Sequence, residues 1–105
     1  MVFLKSKKTV CRREDNMKFK NFEGKEYNVN YVKPPIKFKA QGLCENPNLH
    51  KYPSISVDPE LNKRRMLNVL IEEVFHAHLY DLPEWKARKF SSNLGKLIYN
   101  KFIKI

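Results

Sequence analysis

The chain reads as an α+β domain, a small N-terminal antiparallel sheet of three to four short strands packed by two C-terminal helices. Two observations carry that reading. From Met17 to Val57 the apolar residues alternate with polar ones in short stretches, the period of half-buried strands. From Asp58 onward they recur every three or four residues, the period of amphipathic helices. Strands in one run followed by helices in another is the order of an α+β fold. With 105 residues, 42% of them hydrophobic, the chain suits one domain with a small core.

Residues 1–16, MVFLKSKKTVCRREDN, hold five basic and two acidic residues with no sustained period and are read as a basic N-terminal arm. Residues 17–105 form the domain. MKFKNF and YNVNYV, joined through Gly24-Lys25-Glu26, read as two strands of a hairpin. Lys33-Pro34-Pro35 breaks the sheet, because neither proline donates to a ladder. IKFKAQGLC reads as a third strand, ENPNLHKYP as a loop dense in turn-forming residues, and SISV as a fourth strand. Asp58-Pro59-Glu60-Leu61 has the makings of a helix start, with Asp58 as N-cap and proline at the first helical position, so helix 1 is expected from Pro59 to Tyr80. Asp81-Leu82-Pro83-Glu84 ends it and begins helix 2, again with proline as a first-turn residue. Ala87, Phe90, Leu94, Leu97 and Ile98 supply the apolar stripe of helix 2.

No apolar run reaches the roughly 18 residues of a membrane span, and MVFLKSKK is too short and too charged for a signal h-region. The expectation is a soluble protein of the cytoplasm, with no membrane partner. Cys11 and Cys44 lie 33 positions apart, in no spacing that suggests a thiolate metal site, and are expected as reduced thiols. The formal net charge of +10 favours contact with nucleic acid or acidic proteins.

The stretch Leu70 to Ala77, LIEEVFHA, carries the chemistry. On a helix, Met66, Leu67, Leu70, Val74, Ala77 and His78 gather on one broad face, with Glu73 at its border and Glu72 and His76 beyond. Glu72 and His76 are four apart, so their side chains stand one turn above the other and can share a cation, while Glu73 can reach a water bound to it. By spacing alone the same residues also make a solvated acidic edge with a Glu–His pair. His78 is about 200° from His76 and cannot join it on one ion; it reads as a core histidine with one hydrogen-bond partner. His50 reads as a surface residue of its loop.

From GLCENP through SISVDPELNKRRMLNVLIEEVFHAHLYDLPEW to KLIY, the order of elements, with Glu73, His76, Ala77 and the loop Asp81 to Glu84, resembles the compact metallopeptidase-like proteins encoded by bacteriophages. The resemblance covers roughly residues 17–102. It implies a zincin-like fold and hydrolysis of a peptide or a host protein in the host cytoplasm. His76 would be a zinc ligand, Glu73 the catalytic glutamate, and Glu84 a third ligand, with Asp81 in reserve. Glu72 stands where the family's His-Glu-x-x-His motif has its first histidine. One histidine and two carboxylates are an ordinary donor set for Zn, Mn or Fe, but two carboxylates neutralise the cation and raise the pKa of its bound water.

A second reading, of another class, is a catalytically inactive basic protein that keeps the scaffold without metal. It would contact nucleic acid or a host protein during infection through Lys63, Arg64, Arg65, Lys86, Arg88 and Lys89. No acidic residue follows Glu84, although lysines opposite a core stripe also make an ordinary solvated face. Phe19, Phe22, Tyr27, Tyr31 and Phe38, interleaved with lysine, are expected in the core rather than as a base-stacking ladder.

Overall fold

A computed structural model describes residues 17–103; the basic arm and Cys11 lie outside the described residues. The fold is α+β. Strands β1 (Met17–Lys20), β2 (Glu26–Asn30), β3 (Gly42–Cys44) and β4 (Ser54–Val57) precede helices α1 (Lys63–His78) and α2 (Glu84–Ile98), and a π-helical turn, Tyr99–Ile103, extends α2.

The β1–β2 hairpin forms as alternation predicts, with Phe19 opposite Tyr27 and their rings stacked at 5.4 Å. Gly24 takes the left-handed conformation (φ 82°) that its turn requires. The sheet is mixed, not antiparallel, in the order β1-β2-β4-β3. The β3–β4 pair inserts β4 beside β2, and the connection from β2 is long enough to return the chain to the same end, so β2 and β4 run parallel. The third strand is shorter than IKFKAQGLC suggested. Its first residues, Ile36–Phe38, form a 3₁₀ turn after Pro35, closed by Lys39 in the left-handed region (φ 48°). Such a conformation costs a non-glycine residue about 1 kcal/mol.

Helix α1 starts at Lys63, not Pro59. Asp58 is buried at the end of β4, its N–H donates to the Gln41 carbonyl (2.9 Å), and its side chain accepts from the Glu60 N–H (2.9 Å), which makes a local turn instead of a cap. Asn62 is the N-cap, accepting from the Arg65 N–H at 2.8 Å. The helix ends at His78, two residues before the expected Tyr80. Pro83 is the N-cap of α2 rather than its first turn.

Tyr27 and Val29 of β2, Cys44 of β3, Ile55 and Val57 of β4, and Val69 and Ala77 of α1 are buried. Each large apolar side chain removed from water there contributes about 1.5–3 kcal/mol. The α1 row against the sheet is thus Val69, Glu73, Ala77, rotated from the face centred on Leu70 and Val74, which only flank the core. Helix α2 is rotated as well. Ala87, Ser91 and Gly95 are its buried row, while Phe90 and Leu97 are 47% and 64% exposed. A Cβ on Gly95 would collide with the Asn68 side chain, so small residues are what let α2 lie close to α1. Of the aromatic residues expected in the core, Tyr27 is fully buried and Phe19 and Tyr31 pack against it, but Phe22 and Phe38 are exposed.

Gly42 is the tightest point between sheet and helix. A Cβ there would sit 2.5 Å from Val69 Cγ1 and 3.0 Å from the Glu73 side chain. Val69 is β-branched and has almost one rotamer on a helix, so it cannot swing away. Gly42→Ala should destabilise the fold by about 1–3 kcal/mol, read as a lower urea midpoint at unchanged slope.

Candidate metal centre

The site forms where α1 meets β3 on one side and the start of α2 on the other. Glu72 and His76, one turn apart, face α2, while Glu73 faces β3. The connection after α1 is tight: the Leu79 N–H donates to the Phe75 carbonyl (2.9 Å) and the Leu82 N–H to the Leu79 carbonyl (3.1 Å). It returns the chain so that Glu84, the first residue of α2, stands beside His76, with Nε2 2.9 Å from Oε1. An ionised carboxylate only accepts, so His76 Nε2–H is the donor. Glu84 also lies 3.6 Å from Arg88 Nε.

The spacing left open a solvated acidic edge, and that reading is overturned: Glu72 is 9% and Glu73 7% exposed. Glu72, His76 and Glu84 each present a donor atom, and these atoms lie within 4.8 Å of one another. Asp81 does not join them. His76 is half-buried and Glu84 partly open to solvent, so the cluster is accessible from one side. One imidazole and two carboxylates at this separation are a donor set that a borderline-hard divalent cation accepts, so the residues present fit a metal.

Burial pushes the Glu73 carboxyl up to about 8, with the negative charges of Glu72 and Glu84 adding to the effect. Burial first, then a hydrogen bond and charge repulsion from Glu84, push Glu72 up to about 7 despite Arg88 and Arg65. Glu84 moves the other way: the hydrogen bond from Glu72 holds its carboxyl below the ordinary range, helped by His76 and Arg88. Of the pair, Glu84 is the member inclined to keep its charge and Glu72 the one inclined to hold its proton. Among the described residues none donates a hydrogen bond to Glu73, whose carboxyl lines the adjoining cleft.

His78 behaves as its position predicts: half-buried, it accepts at Nδ1 from the Phe22 N–H (3.1 Å) and packs on the Phe22 ring. His50 is exposed. Cys44 is buried and free, and burial, then the charge of Glu73, push its thiol up to about 12. No helix of the described residues is long and apolar enough to cross a membrane.

Arg65 and Arg88 turn into the cleft beside Glu72, and Arg64 lies over the Tyr99 ring at 5.4 Å. The place of Arg65, Arg88 and Gly42 at the site was not read from sequence. Gly42 had a signal, a glycine in a strand pattern where another element approaches closely; the arginines look like any surface cations.

The fold and site together define an α+β domain in which one histidine and two glutamates converge from a single helix pair, with Glu73 on the adjoining face against β3. No protein family, curated protein or solved structure matches the chain.

The two raised carboxyls give the metal-free protein a pH dependence of definite sign. Below the ordinary value of 4.5 both folded and unfolded chains keep these protons; as pH rises the unfolded chain releases them first, so stability falls up to about 7 for Glu72 and 8 for Glu73. Glu84 acts in the opposite sense, adding stability above its ordinary value that is lost as pH falls through its lowered one. In EDTA, wild type should lose stability between pH 5 and 8, and Glu73→Gln should lose about 3–4 kcal/mol less over that interval, measured by urea denaturation at both pH values.

Proposed function

We propose that this protein is a metal-dependent peptide hydrolase of zincin-like build, in which Glu72, His76 and Glu84 hold a divalent cation and Glu73 is the general base. The observation that carries this reading is the convergence of those three donors beside a buried carboxyl that no neighbouring group hydrogen-bonds. Glu73 is 7% exposed, and its carboxyl opens onto the cleft, where it can reach a water molecule. The resemblance to phage-encoded metallopeptidase-like proteins points to the same chemistry.

A bound cation supplies Lewis acidity to a carbonyl oxygen and lowers the pKa of a coordinated water. Zinc is the first expectation, with manganese or iron accepted by the same donors. Glu73 would take the proton from the attacking water and pass it to the leaving amine; a cation on Glu72 and Glu84 would neutralise their charge and so favour its ionised form. Glu84, at the N-terminus of α2, keeps its charge in the favourable end of the helix dipole. To hold a cation, His76 would carry its proton on Nδ1 and offer Nε2 beside Glu84, and the tight Leu79–Pro83 connection keeps both in place.

The test is metal analysis and activity on protein purified without a histidine tag. Wild type should retain about one equivalent of zinc, and His76→Ala should lose affinity by at least the roughly 10- to 100-fold that removal of an outer-sphere partner costs. Glu73→Gln should keep the metal and lose hydrolysis by about 10²- to 10⁴-fold. Equal, negligible metal in wild type and His76→Ala would sink the proposal.

The nucleic-acid reading retains one supporting observation: Lys86, Lys89 and Lys96 are all exposed on α2, and no acidic residue follows Glu84. On that reading, binding to a duplex falls steeply with salt and is lost in the triple Lys→Ala variant; no binding at low salt counts against it.

A further inference from the structure

The carboxylates sit midway along a cleft whose two halves are chemically unlike. The cleft lies between the segment Phe38–Cys44 and the helices, and its lobes of about 430 and 470 Å³ adjoin at Gly42, Glu73 and Glu84. Toward the end of α1 the lining adds Leu43, Cys44, Tyr80 and Leu82 to His76. Toward the start of α1 it is Lys39, Gln41, Arg65 and Arg88.

Arg65 is placed there by a neutral group. Its Nε–H donates to Gln41 Oε1 at 2.6 Å, so the guanidinium is oriented without its charge being cancelled. Its remaining N–H groups form the planar fork that suits a carboxylate. Arg88, from the other helix, brings a second guanidinium to the same lobe, and Lys39 brings an ammonium. A divalent cation on Glu72 and Glu84 would neutralise them, leaving these three cations facing Glu73 alone. The lobe would then carry a surplus of positive charge beside the reacting centre.

We infer that the cleft selects substrates with a carboxylate on one side of the scissile bond, bound by Arg65 with Arg88 in support, and an apolar side chain on the other. This rests on the reading of the cleft as the substrate site. The carboxylate comes from an acidic side chain or from a chain terminus, and the two sources are separable. Arg65 is then a specificity-determining residue, not a catalytic one.

The probes are acetyl-Leu-Ala-Ala-Asp-amide, its chain-reversed counterpart, the Asn twin of each, and acetyl-Leu-Ala-Ala with a free or an amidated terminus. They are titrated by calorimetry into untagged wild type and Arg65→Gln at low salt, in EDTA and with one equivalent of zinc, and zinc binding itself is measured first. At least one acidic or free-terminus probe should bind wild type about fivefold more tightly than its neutral twin, the scale of one partly exposed ion pair. The preference should be stronger with zinc and absent in Arg65→Gln, whose affinity for the neutral twin is unchanged. An Asp preference assigns the lobe to acidic side chains; a preference confined to the free terminus assigns it to chain ends. Equal affinities within every pair, a preference that survives in Arg65→Gln, or no binding by any probe overturns the inference. Zinc binding without a preference defeats this inference alone. A preference in EDTA, lost in Arg65→Gln, in a protein that binds no zinc defeats the metal proposal and leaves this one standing.

Discussion

Two adjacent glutamates, Glu72 and Glu73, are taken out of water on one turn of α1, and the arrangement around them follows from that constraint. An uncompensated buried carboxylate costs several kcal/mol. The protein meets the cost by three means. It leaves Glu73 and Glu72 inclined to hold their protons, it couples Glu72 to Glu84 through a shared hydrogen bond, and it sets Arg65 and Arg88 where their field reaches Glu72. The last two use other residues, and of these Glu84 and Arg88 need the start of α2 to lie against the middle of α1.

That docking depends on small side chains. Ala87, Ser91 and Gly95 face α1, so the helices approach closely enough for Glu84 to meet His76. Gly42 does the same for the sheet, giving Glu73 a place against β3. The helix residues displaced by this rotation, Leu70, Ile71, Val74, Phe75, Phe90 and Leu94, stay near the surface and line a groove together with Phe22, His78 and Leu79. A protein selected only for stability would bury those side chains and expose the glutamates. The inverse choice concentrates carboxylates in the cleft, the arrangement expected of a site that does chemistry.

Local rules served the sequence reading well where neighbours in the chain decide the outcome. The β1–β2 hairpin, the existence of both helices, the i,i+4 relation of Glu72 and His76 and the separation of His78 from them are all consequences of periods of two and 3.6 residues. They failed where a tertiary contact competes with a local signal. Asp58-Pro59-Glu60 is a good helix start, yet the bond from the Asp58 N–H to Gln41 holds it at the end of the sheet and passes the cap to Asn62. The first residues of the expected third strand gave way to a 3₁₀ turn, and β4 paired parallel with β2 because a strand later in the chain can be inserted beside an earlier one.

For this protein the sequence by itself determined the fold class, two helices in the right order, and a helix on which a carboxylate and an imidazole share one side. Only the tertiary structure decided that Glu72 and Glu73 are buried, that Glu84 and not Asp81 completes the cluster, and that Arg65 and Arg88 close one end of a cleft. The reason is that helical periodicity sets the angle between side chains but not the rotation of the helix about its axis. That rotation is chosen by what packs, and here the approach of Gly42 on one side and of Ala87, Ser91 and Gly95 on the other turned the glutamates inward.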